Sequence, residues 1–173
     1  MTELPHQDRH TLSFATKLVR SDNFNTLFKE GMGLVEETAT YLDGIGRAES
    51  RELDRSAALA YSTESMRLTT RLMQLASWLL LQRAVNEGEM SQEQASNEKN
   101  KVRLDRHVTG LDVPAWDQLP ESLTDLITRS VRLQERIIHM DTMLARENTV
   151  EPATANDNPV AAQLSQLNAA FGK

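Results

Sequence analysis

The stretch RELDRSAALAYSTESMRLTTRLMQLASWLLLQRAVN, residues 51–86, decides the fold, because it holds neither Gly nor Pro and is followed by Glu87-Gly88. At a rise of ~1.5 Å per residue it predicts one helix of about 54 Å, against an average of ~11–12 residues per helix. Turning each residue by about 100° puts Tyr61, Leu68, Leu72, Leu75 and Leu79 on one line. Leu59, Met66, Met73 and Leu80 fall on a second line, with Ala76 and Ala84 beside it. The two lines lie ~120–130° apart, whereas a lone surface helix shows one apolar stripe. A helix with two stripes needs two neighbours, so this chain is expected to work by packing and presenting surfaces.

Two further helical patterns supply the neighbours. Ser21-Asp22-Asn23 offers cap residues, and Phe24, Leu27, Phe28, Leu34, Val35, Tyr41 and Leu42 follow at helical spacing. Gly31 and Gly33 interrupt this helix and allow another helix to come close, and Asp43-Gly44-Ile45-Gly46 ends it. Residues 1–12 read as a polar start, and Thr11 to Arg20 reads equally as a short strand or an extra helical turn. The long helix is expected to start between Glu49 and Leu53. After Gly88, Ser91 with Gln94 spells a capping box and predicts a short helix over 91–99. Pro120-Glu121 opens the third main helix, whose stripe is Leu119, Leu123, Leu126, Ile127, Ser130, Leu133, Ile137, Met140 and Leu144. The 100–119 connection is long for a compact domain, which makes it a candidate binding loop. Thr149 to Lys173 carries two prolines and polar residues and reads as disordered until Leu164, Leu167 and Phe171.

The expected architecture is therefore all-α. It is an antiparallel three-helix bundle around a long central helix, with a bundle domain over 1–148 and a flexible tail over 149–173. The helices over 22–43 and 120–147 are shorter than the central one, and that mismatch predicts a two-fold dimer. Leu59, Met66, Met73, Leu80 and Trp78 are the expected core or dimer contacts. Leu164, Leu167 and Phe171 are the expected contacts of a tail acting as a tethered motif.

Chemistry is harder to find. The net charge of −6 argues against a general affinity for nucleic acid, and the chain has no Cys to serve as nucleophile or thiolate ligand. Glu135 and His139 share a helix face at i and i+4, but a metal site needs a third and fourth ligand from other helices, and no His-Glu-x-x-His spacing supplies them. His6 and His10 read as solvated, and His107 lies in the long connection beside Asp105 and Arg106. Gly31-Met32-Gly33 lacks the rest of a phosphate loop, and no nucleophile elbow occurs. Lys99, Lys101, Arg103 and Arg106, offset by Glu98 and Asp105, make a 98–107 stretch of net +2. It sets up the alternative of a DNA-associated regulator. Arg67, Arg71, Gln74, Arg83 and Glu64 read as the solvated flank of the long helix, with a partner-docking ridge as the alternative. No cofactor and no catalytic residue is expected. The start of the chain lacks a secretory pattern and no stretch is apolar enough to span a membrane, so a cytoplasmic address is expected.

The run Ala60-Tyr61-Ser62-Thr63-Glu64-Ser65-Met66-Arg67-Leu68-Thr69-Thr70-Arg71-Leu72-Met73-Gln74, continued through Ala76-Ser77-Trp78-Leu79-Leu80-Leu81-Gln82-Arg83-Ala84-Val85-Asn86-Glu87-Gly88-Glu89-Met90, resembles the signature of the RcdA (regulator of CtrA degradation) family of alphaproteobacteria. Leu119-Pro120-Glu121 through Arg136-Ile137 is similar too, so the likeness covers about 12–147. The resemblance implies a three-helix-bundle homodimer with a mobile C-terminal tail and no enzymatic activity. It implies an adaptor for the ClpXP protease in the cell cycle, joining a ClpX complex primed by the response regulator CpdR. Cargo is then recruited directly, or through the cyclic-di-GMP-binding adaptor PopA, which brings in CtrA.

Overall fold

The computed structural model describes residues 8–102, 104 and 115–149, with side chains over 21–102, 104 and 115–146. Its helices are α1 (Asp8–Asp43), α2 (Ile45–Glu52), α3 (Arg55–Asn86), α4 (Gln92–Lys101) and α5 (Glu121–Thr149), with a 3-10 turn at Trp116–Gln118. The chain divides into two units, residues 1–137 and 138–173. The second is described only over the last turns of α5, where Thr142 Oγ1 donates to the Ile138 carbonyl at 2.8 Å. No helix among the described residues is long and apolar enough to cross a membrane.

The long helix begins later than its composition predicts. Asp54 accepts the Ala57 N–H at 2.8 Å through its side chain and caps α3, so α2 ends before it and Leu53 is extended. An uninterrupted helical composition therefore does not guarantee one helix: an Asp that binds a backbone N–H two or three residues on competes with the preceding turn. The far end follows its sequence signal. Gly88 adopts φ +77°, Gly88 N–H donates to Val85 O at 3.1 Å, and Glu89 N–H donates to Ala84 O at 2.9 Å. That is the paired bond of a Schellman stop. Ser91 and Gln94 form the reciprocal capping box that starts α4.

Helix α1 also corrects an expectation. It runs from Asp8 through Thr11–Arg20 and through Ser21-Asp22-Asn23, so it has 36 residues against 32 for α3 and 29 for α5. The predicted shortfall in length is absent for α1 and only three residues for α5.

Direction follows from the contacts that join the helices. Arg83 lies 5.0 Å over the Phe28 ring, and Tyr41 lies beside Tyr61 at the other end, so α1 and α3 are antiparallel. Arg129 grips Glu37 with two 2.7 Å hydrogen bonds and Arg136 reaches Glu30 at 2.6 Å, so α1 and α5 are antiparallel as well. Hydrogen bonding to Arg129 holds the Glu37 carboxyl below its ordinary range. Exposed pairs of this kind contribute little energy, ~0.2–1 kcal/mol; here they mark register. It follows that α3 and α5 share a direction, and the chain must travel back along the bundle between them. That is the physical reason for the long connection after Gly88, part of which is spent as α4 and the 3-10 turn.

Close approach of α1 to α3 depends on Gly31, where a Cβ would collide with Leu79 Cδ1. Gly33 has open space around it. At the α1–α2 corner, a Cβ on Gly46 would lie 2.6 Å from Tyr61 Oη and 2.8 Å from Tyr41 Cε1, so only Gly lets α2 lie against the two rings. Tyr41 Oη donates to Glu49 at 2.6 Å. Burial, then the Glu49 hydrogen bond, pushes the Tyr41 phenol above its ordinary range, and burial raises Tyr61.

Two outcomes follow. Gly31→Ala lowers stability by about 1–3 kcal/mol through overpacking, while Gly33→Ala raises it by about 0.5–1 kcal/mol, as urea unfolding checks. A phenol whose pKa is raised by folding contributes stability that is complete below the unfolded value near 10 and lost as pH rises beyond it. The urea midpoint is therefore expected to hold to about pH 9, fall above about pH 10, and fall less steeply in Tyr41→Phe.

Candidate functional site

One flank of α3 is the core of the bundle. Tyr61, Leu68, Leu72, Leu75 and Leu79 are all buried, together with Phe24, Leu27 and Leu34 of α1 and Leu123, Leu126, Ile127, Leu133 and Ile137 of α5. Both neighbours therefore lie on the same stripe of α3. Trp78 is part of this interior at 1% exposure. Lys99 Nζ sits 4.4 Å from the centre of the Trp78 ring and donates to Gln82 Oε1 at 2.8 Å, which fastens α4 to the end of α3.

Polar residues thought to be solvated lie inside. Arg71 and Glu64 are buried, and Arg71 Nη1 donates to the buried Ser130 Oγ at 2.9 Å. Ser130 Oγ donates in turn to the Ile127 carbonyl at 2.7 Å. Glu64 accepts from Arg67 Nη1 at 2.7 Å. Burial lowers the Arg71 pKa and Glu64 opposes that shift. The Arg71–Ser130 hydrogen bond ties α3 to α5, and no helical-wheel count predicts it, because the wheel assigns charge to solvent.

The second stripe of α3 is bare. Leu59, Met66, Met73 and Leu80 are 70, 72, 67 and 54% exposed, although they repeat every seven residues along one line. Small residues border that line on both sides. Ser62, Thr69 and Ala76 form one border at the same spacing, and Thr63, Thr70 and Ser77 form the other. Four of the hydroxyls donate to their own helix: Thr63 to Leu59 O at 3.0 Å, Thr69 to Ser65 O at 2.8 Å, Thr70 to Met66 O at 2.9 Å and Ser77 to Met73 O at 2.8 Å. A hydroxyl whose donor is already used costs little to desolvate. At the α4 end the stripe opens into a groove of about 390 Å³ between α3 and α4, lined by Ser77, Leu80, Leu81, Ala84 and Val102. The small borders are the signal that a search for large apolar residues passes over.

The remaining candidates do not join this face. Glu135 and His139 are both exposed, and among the described residues no group of three His, Cys, Asp or Glu side chains could hold a metal ion. Lys101 pairs with Glu98 at 2.6 Å, so it and Lys99 are both held by local contacts. Arg103, Arg106, His6, His107 and the tail residues Leu164, Leu167 and Phe171 lie outside the described residues, as does the side chain of His10.

The family model described as "Protein of unknown function (DUF1465)" matches residues 15–171. The crystal structure of RcdA from Caulobacter crescentus CB15 is similar to this one, with 55% sequence identity and a TM-score of 0.56, over 68% of this chain and 87% of that chain. Among curated proteins none matches. With a family match across most of its length and this degree of identity to a structure whose chain it largely spans, the protein belongs to the RcdA family.

Proposed function

We propose that this protein is a non-enzymatic adaptor for regulated proteolysis, which tethers substrates or a second adaptor to the ClpXP protease during the cell cycle. The observation that carries the reading is the 55% identity to RcdA of Caulobacter crescentus. In this reading ClpX primed by CpdR is the docking partner, PopA is the second adaptor, and CtrA is a cargo. The protein acts as a homodimer in the cytoplasm, including at the cell pole.

The physical logic is one of local concentration. An adaptor that holds cargo beside the protease converts a bimolecular encounter into an intramolecular one and lowers the apparent KM without touching the chemistry. Such a molecule needs rigid surfaces and reach. A bundle of long helices supplies the first, and its uncovered apolar flank on α3 offers a face for the homodimer. The tail after residue 148, with Leu164, Leu167 and Phe171, is assigned the second.

Degradation of CtrA by purified ClpXP with CpdR, PopA and cyclic di-GMP tests this. Adding the protein is expected to raise the rate by about tenfold or more at low CtrA concentration, within the range that tethering provides. The absence of acceleration for CtrA and for directly bound cargo overturns the reading. A chain ending at Asn148 is expected to keep its helical circular dichroism and lose most of the acceleration.

A further inference from the structure

The bare stripe of α3 has the same order read from either end. Its large residues run Leu59, Met66, Met73, Leu80, with the midpoint between Thr69 and Thr70, and the small borders contain that midpoint as neighbouring threonines. A two-fold interface between identical subunits requires that when one residue meets a second, the second also meets the first. Two copies of one helix packed antiparallel satisfy this only about a fixed point along the sequence. A point at Thr69/Thr70 sets Leu59 against Leu80, Met66 against Met73, and each of the two threonines beside its own copy. Parallel packing pairs every residue with itself and needs no such palindrome.

Three other observations agree. Repetition every seven residues is the period at which two helices keep a seam in contact, crossing at about 20°. The Ser, Thr and Ala borders let the second helix approach closely, and the hydroxyls of Thr63, Thr69, Thr70 and Ser77 are already bonded to the α3 backbone. The groove between α3 and α4 opens beside Leu80 at one end of the stripe, while Leu59 stands 70% exposed at the other. Antiparallel packing brings these two ends together and sets the positive end of one helix dipole beside the negative end of the other.

We propose that two copies of this chain associate α3 to α3, antiparallel, about a two-fold axis at Thr69/Thr70, with Leu59 of each copy at the mouth of the α3–α4 groove of the other. The proposal rests on the homodimer of the adaptor reading and gives it a face, a direction and a register.

The chain has no Cys, so a single introduced thiol reports one position only. In the full-length protein, Thr70→Cys is expected to form a disulfide-linked dimer on mild oxidation. Leu59→Cys alone stays unlinked, because its two copies lie about 30 Å apart at 1.5 Å per residue. An equimolar mixture of Leu59→Cys and Leu80→Cys links. Linking of Leu59→Cys to itself, or a dimer in sedimentation whose Thr70→Cys variant does not link, overturns the geometry. A wild-type monomer at every concentration overturns it too. None of these readouts involves ClpXP, so a failed degradation assay with the expected linking pattern counts against the adaptor reading alone.

Discussion

Everything in this fold depends on how the circumference of α3 is shared. A helix with apolar residues on two flanks has more surface to hide than one stripe of neighbours can cover. In this chain α1 and α5 lie together on the flank of Leu68, Leu72, Leu75 and Leu79, and they also hold each other through Arg129–Glu37 and Arg136–Glu30. A third mutual contact closes the triangle and leaves no helix of the described residues for the flank of Met66 and Met73. Gly31 is what permits this arrangement, since any side chain there would push α1 off Leu79 and loosen the whole triangle.

The buried flank was legible in the sequence because aliphatic residues at three- and four-residue spacing have few other uses. The Ser91–Gln94 box and the Gly88 stop were legible because each carries its own hydrogen bonds locally. What could not be read is of two kinds. Asp54 looks like any charged residue on a helix until its carboxylate is seen to accept Ala57 N–H. Arg71 and Glu64 look like solvent-facing charge until α5 brings Ser130 within 2.9 Å of the guanidinium. Local propensity encodes neither: the cap is a choice between two turns that the same residues could make, and the buried charge is settled by what α5 contributes.

The two-stripe reading of α3 located the surface and misjudged its neighbours. Helix length is not the reason for a dimer, since α1 is longer than α3. The uncovered part of α3 is a side, not an end. This matters for mechanism, since an uncovered end could be capped by a loop, while an uncovered side some four heptad positions long calls for another helix.

A helix face that binds its own copy is not at the same time open to other proteins. If α3 pairs with α3 across Thr69/Thr70, the strongest apolar surface of the described chain is spent on assembly, and recruitment must use weaker or more distant features. For an adaptor that is an advantage. Cargo and protease have to be released as well as held, and a large dry contact would hold them too long, since affinity among related complexes is tuned mainly through the off-rate. A permanent apolar seam for the scaffold, with weaker exchangeable contacts elsewhere, separates the two demands.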